Sequence, residues 1–94
     1  MIVLLVSRYT APLERVEELI PAHRLYLERL REEGVLLVSG RRDPWEGGAI
    51  VLRCPRERAE AAVAEDPFTR AGVAETELVA VEPLFWADGL DAFL

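Results

Sequence analysis

Apolar residues run without interruption through two short segments of this chain. They fill positions 1–7, apart from the closing serine, and positions 35–38. Short runs rich in β-branched residues are typical of strands buried on both faces, whereas one-sided strands alternate apolar and polar residues. Residues 49–52 form a third run of this type, and residues 76–81 complete the set. The pattern therefore predicts four strands, at 1–7, 35–39, 49–52 and 76–81.

Between the first two strands, residues 13–33 show a helical pattern. Its apolar stripe, with residues spaced three or four apart, consists of Val16, Ile20, His23, Leu27 and Leu30. Pro21 interrupts this helix, and a proline inside a helix costs about 3 kcal/mol. Either the helix kinks there, or a lead-in ends at Ile20 and a new helix begins with Pro21 at its first position. Gly34 is expected to end the helix.

The order of the elements indicates the fold. A second helix is predicted from Pro55 to about Glu65, followed by a bend or one loose turn at 66–72. The order is then strand, helix, strand, strand, helix, strand, which is the α+β, ferredoxin-like βαββαβ pattern with a four-stranded antiparallel sheet. Right-handed crossovers place the first and third strands at its centre. We take residues 1–83 as one domain and residues 84–94 as an apolar C-terminal tail.

The strand patterning also predicts a partner. Two helices can cover only one face of a four-stranded sheet, yet the strands do not alternate, so both faces should be buried. The simplest cover is the same face of a second subunit, packed sheet to sheet in a two-fold homodimer. The apolar tail is expected to pack on the sheet or on the partner subunit.

Composition narrows the class of protein. The chain carries 17 acidic and 11 basic residues, and its net charge of −6 argues against nucleic acid or an anionic membrane as a partner. All basic residues are arginine, and asparagine and glutamine are absent, which suits a thermophile or a GC-rich genome. The single Cys54 excludes an internal disulfide. The opening apolar run is too short for a signal core or a membrane span, so we expect a cytoplasmic protein.

His23 is the only histidine, and it lies at the centre of the apolar stripe. In one interpretation it is a hydrogen-bonded core residue. In the other it faces a pocket and transfers protons, because an imidazole titrates near neutrality. With no second histidine and no ligand spacing among the acidic residues, the sequence predicts no metal site.

Polar residues near strand ends are candidates for binding a small molecule. Arg8 and Arg41 can bind a carboxylate or phenolate through two parallel hydrogen bonds. Ser39 and Gly40 allow a ligand to approach the backbone, or simply end a strand, and Tyr9 offers a phenolic proton or packs in the core. Asp66, directly before Pro67, is typical of an Asx-type turn with a purely structural role.

Several short motifs together resemble a known family, the YCII-related (YciI-like) proteins. They are Pro21-Ala22-His23, Ser39-Gly40, Gly47-Gly48, Asp66-Pro67-Phe68 and Ala71-Gly72, in this order and spacing, and the resemblance covers residues 1 to about 83. It implies a ferredoxin-like subunit that forms a dimeric α/β barrel, with a site built on a histidine and an aspartate, here His23 and Asp66. Arg41-Arg42 depart from the proline that follows Ser-Gly in many members.

The resemblance implies a range of chemistry. One relative is a dehydrochlorinase of a chlorinated hydroxyquinol, and the wider superfamily includes muconolactone isomerases and small monooxygenases. A carboxylate bonded to one ring nitrogen fixes the imidazole tautomer, so the other nitrogen can act as base or acid without metal or cofactor. Three hypotheses stay open: a lyase or isomerase of a small aromatic or enol acid, a ligand-binding or regulatory dimer, and an oxygen-using monooxygenase.

Overall fold

The computed structural model describes all 94 residues, Met1–Leu94. Its elements in chain order are β1 (Ile2–Tyr9), α1 (Leu13–Glu18), α2 (Ile20–Glu33), β2 (Leu36–Arg41), β3 (Gly48–Arg53), α3 (Arg56–Glu65), α4 (Pro67–Arg70), β4 (Ala74–Val81) and a 3₁₀ turn (Leu90–Phe93). The four strands form one antiparallel sheet in the order β2-β3-β1-β4. The predicted α+β, ferredoxin-like fold is confirmed, and β1 and β3 are central as expected.

Pro21 marks a restart of the helix rather than a kink. Helix α1 ends at Glu18, Leu19 caps both helices, and α2 begins at Ile20. Pro21 thus lies in the first turn of α2, where the missing N–H would have no helical acceptor. The second of the two predicted alternatives is confirmed, with the break one residue earlier. Helix α2 ends at Glu33 and is capped by Gly34, whose φ of 83° is the left-handed conformation that glycine favours at this position.

All four strands are longer than the hydrophobic pattern predicts. Gly40 and Arg41 continue β2 past its predicted end at Ser39, and they pair with Ala49 and Gly48 of β3. Likewise β1 continues to Tyr9, which pairs with Ala74 at the start of β4. Backbone pairing extends beyond the apolar run because a neighbouring strand satisfies the N–H and C=O groups whatever the side chain is.

The helices pack on one face of the sheet. The larger buried cluster is formed by Val3, Leu5, Tyr26, Leu30, Ile50, Leu52, Cys54, Ala59 and Ala62. A smaller one, formed by Val16, Phe68, Val73 and Ala74, joins α1, α4 and the start of β4. The gap between α2 and the sheet, beside these clusters, is where the candidate site lies.

The opposite face of the sheet has no cover in the subunit. At its centre Leu4 lies between Val51 and Val79, and Val38 and Val79 are 58% and 42% exposed. The tail also leaves its apolar side chains in solvent, with Phe85 97% exposed. No helix combines the length and the apolar character that crossing a bilayer requires.

Candidate active site

A cavity of about 320 Å³ opens between α2 and the helix-covered face of the sheet. Its apolar wall includes Leu5, Ile20, Leu27, Ile50 and Phe68, and its polar groups include Tyr9, His23, Ser39, Arg41, Trp45 and Asp66. A cavity of this size lies at the small end of ligand pockets, so it suits a ligand of about one ring. A few polar groups on an apolar wall are the usual arrangement of a small-molecule site.

His23 and Asp66 meet at this cavity. His23 projects from the first turns of α2, and its Nε2 lies 3.5 Å from Oδ2 of Asp66 at the N-terminus of α4. Their side chains are only 16% and 9% exposed. The distance exceeds that of a good N–H···O hydrogen bond, but it places the carboxylate oxygen directly beside the ring nitrogen.

Asp66 has a second role through its other oxygen. Its Oδ1 accepts a hydrogen bond from the backbone N–H of Phe68 at 2.8 Å, which caps the short helix α4. This contact is the Asx-type turn predicted from the Asp-Pro sequence. The structural and the chemical interpretations of Asp66 are therefore compatible, because each uses a different carboxylate oxygen.

Aromatic rings hold the imidazole in place. The ring of His23 stacks on Phe68, with 4.0 Å between centroids and an angle of 7°, and the Tyr26 ring lies 5.5 Å away. Tyr26 is buried and donates its hydroxyl proton to the carbonyl oxygen of Ala62 at 2.7 Å. Burial, and then the charge of Asp66, raises the pKa of Tyr26 above its usual value, so this phenol stays protonated.

A second polar wall is built around Trp45. Its indole Nε1–H donates a hydrogen bond to the Tyr9 hydroxyl oxygen at 2.8 Å, and the two rings meet edge to face. The Arg41 guanidinium lies 3.8 Å from the centre of the indole ring. Tyr9 also meets Phe68 edge to face, so the aromatic wall runs unbroken from Arg41 to His23.

The structure brings most of the predicted site residues together, with one exception. Tyr9, His23, Ser39, Gly40, Arg41 and Asp66 all line the cavity. Arg8 does not: its Nη2 pairs with Glu75 at 2.7 Å on the other face of the sheet. Consecutive residues of a strand point to opposite faces, so once Tyr9 faces the cavity, Arg8 cannot.

Trp45 and Phe68 are wall residues that the sequence did not single out as a site. Trp45 lies in a loop rich in polar residues and glycine, where a large aromatic residue is unusual enough to be a signal. Phe68 gave no such signal, because an aromatic in a short helix is ordinarily a core residue.

The other groups whose pKa values are shifted lie outside the cavity. Arg58 of α3 bonds Glu33 at the end of α2, and this hydrogen bond lowers the pKa of Glu33. Burial raises the pKa of the Cys54 thiol, which keeps it protonated and unreactive. No three histidine, cysteine, aspartate or glutamate side chains come together as a group of metal ligands.

Comparisons with known proteins agree with this architecture. The model of the YCII-related domain family matches residues 1–82. Among solved structures, the chain is similar to 5-chloro-2-hydroxyhydroquinone dehydrochlorinase (TftG) from Burkholderia phenoliruptrix AC1100, in complex with 2,5-dihydroxybenzoquinone. The TM-score is 0.74 at 22% identity, over 87% of this chain and 94% of that one. The same fold thus extends over nearly the whole of both chains. No curated protein sequence matches the chain.

Proposed function

Since the chain belongs to the YCII-related domain family, we propose that it is a cofactor-free acid–base enzyme acting on a small aromatic or enol acid. The reaction type is a lyase, such as a dehydrochlorinase, or an isomerase. The observation that carries this proposal is the His23–Asp66 contact of 3.5 Å at the wall of a ligand-sized cavity. The name of the similar structure, a dehydrochlorinase bound to a quinone, supports the same class of substrate.

His23 and Asp66 would have different roles in the reaction. Asp66 faces Nε2 of His23, so it holds a proton on that nitrogen and leaves Nδ1 to take a proton from the substrate. In an elimination, the electron pair of the O–H or C–H bond that loses the proton forms a double bond, while chloride leaves with the electrons of the C–Cl bond. In an isomerisation, His23 returns the proton to another carbon. The Asp66 carboxylate stabilises the imidazolium between these steps.

The proposal includes a homodimer packed sheet to sheet. Its support is the uncovered apolar face described above, where Val38 and Val79 are exposed beside Leu4 and Val51. A second copy of this face would bury it as a sheet-on-sheet core, with the dimeric α/β barrel as the result. The tail, residues 84–94, would cover further apolar area on the partner.

A ligand-binding or regulatory dimer without catalysis is the alternative. One observation favours it: the His23–Asp66 distance of 3.5 Å is longer than the hydrogen bond that a working dyad needs. In many enzymes a contact of this kind shortens when the substrate binds. The two proposals therefore differ only in whether the bound ligand reacts.

The first test is the NMR titration of the His23 imidazole in the wild type and in Asp66→Asn. A single histidine makes the assignment unambiguous. We expect the ring resonances of His23 to differ between the two proteins, because the Asp66 carboxylate faces Nε2. An imidazole that does not titrate, or that ignores the substitution, would contradict the acid–base proposal.

The second test is chloride release from chlorinated hydroquinones, with a screen of enol lactones for isomerisation. His23→Asn and Asp66→Asn should each lower kcat by about 10²-fold or more, since both remove the general base or its orientation. Arg56→Gln, on the exposed side of α3, serves as the control and should keep full activity. Binding without turnover in the wild type would support the ligand-binding alternative.

A further inference from the structure

The loop between β2 and β3 is fixed to the end of β1 at several points. The backbone N–H of Tyr9 donates to the carbonyl oxygen of Glu46 at 2.8 Å, and Arg42 Nη1 reaches the Ser7 carbonyl oxygen at 3.4 Å. Gly47 passes so close to Ser7 that a Cβ atom would overlap its carbonyl oxygen. This loop is therefore a supported platform, and it carries Trp45 into the cavity wall.

The hydrogen bond from Trp45 decides what the Tyr9 hydroxyl can do. Because the oxygen of Tyr9 accepts from the indole N–H, its own proton must point elsewhere. That proton has no acceptor within the subunit, although the Tyr9 side chain lines the cavity. A hydroxyl that accepts one hydrogen bond is also polarised into a stronger donor. Trp45 thus turns Tyr9 into a directed donor.

The same indole holds a positive charge nearby. The Arg41 guanidinium rests on its face at 3.8 Å, a cation–π contact, and it forms no hydrogen bond or ion pair with any other side chain of the subunit. Arg41 is exposed and lines the cavity, so its charge is available to a ligand there. A hydroxyl donor and an unpaired cation on one wall match the requirements of an anionic oxygen.

We infer that Trp45 is a positioning residue for ligand recognition: it directs the Tyr9 hydroxyl and holds the Arg41 guanidinium to bind a carboxylate or phenolate oxygen of a single-ring ligand. This inference rests on the proposed use of the cavity as a ligand site. It does not rest on proton transfer by His23, so it stands or falls separately from the catalytic proposal.

The test measures binding at equilibrium by titration calorimetry with a matched pair of probes, 2-hydroxybenzoate and 2-hydroxybenzamide. The two have nearly the same shape, and only the first carries a charged oxygen. The proteins are the wild type, Tyr9→Phe, Trp45→Phe and the double variant. Phenylalanine at position 45 keeps an aromatic face for Arg41 and removes the N–H donor, which isolates the effect on Tyr9.

We expect 2-hydroxybenzoate to bind wild type tighter than the amide does. Tyr9→Phe should weaken binding of the anion about tenfold, since it removes a hydrogen bond to a charged group. Trp45→Phe should weaken it about threefold, as the Tyr9 donor loses polarisation and direction. The double variant should be no weaker than Tyr9→Phe alone, because Trp45 acts through the Tyr9 hydroxyl.

Three results would overturn the inference. They are a wild type that binds neither probe at millimolar concentration, a Trp45→Phe effect that is equal for both probes, and a Trp45→Phe effect that persists in full without the Tyr9 hydroxyl. The last two would show that Trp45 merely supports the loop. Trp86→Phe, the same change in the tail, is the control and should leave both affinities unchanged.

The Trp86→Phe protein also locates the probe, because Trp45 is then its only tryptophan. Its fluorescence should change when 2-hydroxybenzoate binds, and binding without such a change would place the probe elsewhere and contradict the inference. The probes do not react, so a failed His23 titration with intact probe binding would remove the catalytic proposal and leave this one standing.

Discussion

At the scale of single residues, His23 is restrained by its neighbours more than by its own helix. Phe68 stacks on its ring, and Asp66 faces its Nε2. Phe68 belongs to the four-residue helix α4, and Asp66 caps that helix. Restraint of this kind fixes a side chain before a ligand arrives, which is what a binding or catalytic group requires.

Tyr26 should give the protein a measurable alkaline sensitivity. Its pKa is raised in the folded state, so the protonated phenol contributes stability below the unfolded pKa of about 10, and this contribution is lost as the pH rises above that value. We predict that the free energy of unfolding of the wild type falls above about pH 10 more steeply than that of Tyr26→Phe.

At neutral pH the same variant should be about 1 kcal/mol less stable, since it loses the hydrogen bond to Ala62. Urea unfolding of both proteins at neutral and alkaline pH checks both expectations. Equal slopes in the alkaline range would mean that the phenol is not protected by burial.

Gly47 should tolerate no side chain. A Cβ at this position would overlap the backbone carbonyl of Ser7, and backbone atoms of a central strand cannot move aside cheaply. Gly47→Ala is therefore expected to lower the free energy of unfolding by about 1–3 kcal/mol, the range of overpacked sites. Gly40→Ala is the matched control, because a Cβ there meets nothing within 4 Å. Thermal unfolding distinguishes the two, and equal stability of both variants would contradict the prediction.

At the scale of elements, the sequence predicted what depends on local pattern. The 3.6-residue period of the apolar positions indicates that His23 points inward, and Pro21 indicates the break in the helix. The ends of the strands were not predictable, because β1 and β2 extend through polar residues whose backbone is satisfied by a neighbouring strand. For that reason the sequence predicts Arg8 as a site residue, although the register of β1 turns its side chain to the other face of the sheet.

The pairing of His23 with Asp66 could not be predicted from the local sequence pattern. No local pattern connects α2 with α4, so the contact depends on how the two helices pack, and only the resemblance to a family indicates it. The Trp45–Tyr9 bond depends likewise on how the β2–β3 loop folds back on β1. Residues that meet across 36 positions of sequence leave no spacing to recognise.

The tail should be dispensable for the fold of the subunit. Its large apolar side chains, among them Leu84, Phe85 and Phe93, are mostly exposed and belong to neither buried cluster. Deleting residues 84–94 is predicted to change the free energy of subunit unfolding by less than about 1 kcal/mol, because few buried contacts are lost. Urea unfolding at low protein concentration checks this. Failure of the shortened chain to fold would show that the tail is part of the core.

At the scale of the whole molecule, the sheet has one face covered by helices and one apolar face left open. Apolar area of this kind is typical of a surface that another protein covers. The homodimer, the cytoplasmic location and the thermophilic source stay predictions. They concern assembly and surroundings, about which a single folded chain carries little information.

A charge on the open face should separate the subunits. Val79 is 42% exposed and pairs with Leu4 at the centre of that face, so Val79→Lys would leave the subunit folded and place an unpaired ammonium in the dimer interface. We predict that light scattering finds a dimer for the wild type and a particle of 10.6 kDa for the variant at micromolar concentration. Glu60→Lys, on the outer side of α3, should remain a dimer. A monomeric wild type would remove the prediction altogether.

The shared use of Asp66 limits how this protein can change over evolutionary time. One carboxylate caps α4 and also faces the histidine, so a substitution that changes the contact with His23 also alters the packing of the helix that carries Phe68. Under the proposed function, fold and reactivity are inherited together at this position. The residues on the β2–β3 loop do not combine a structural role with a contact to His23. New ligand preferences would therefore arise more readily from that loop than from the His23–Asp66 pair.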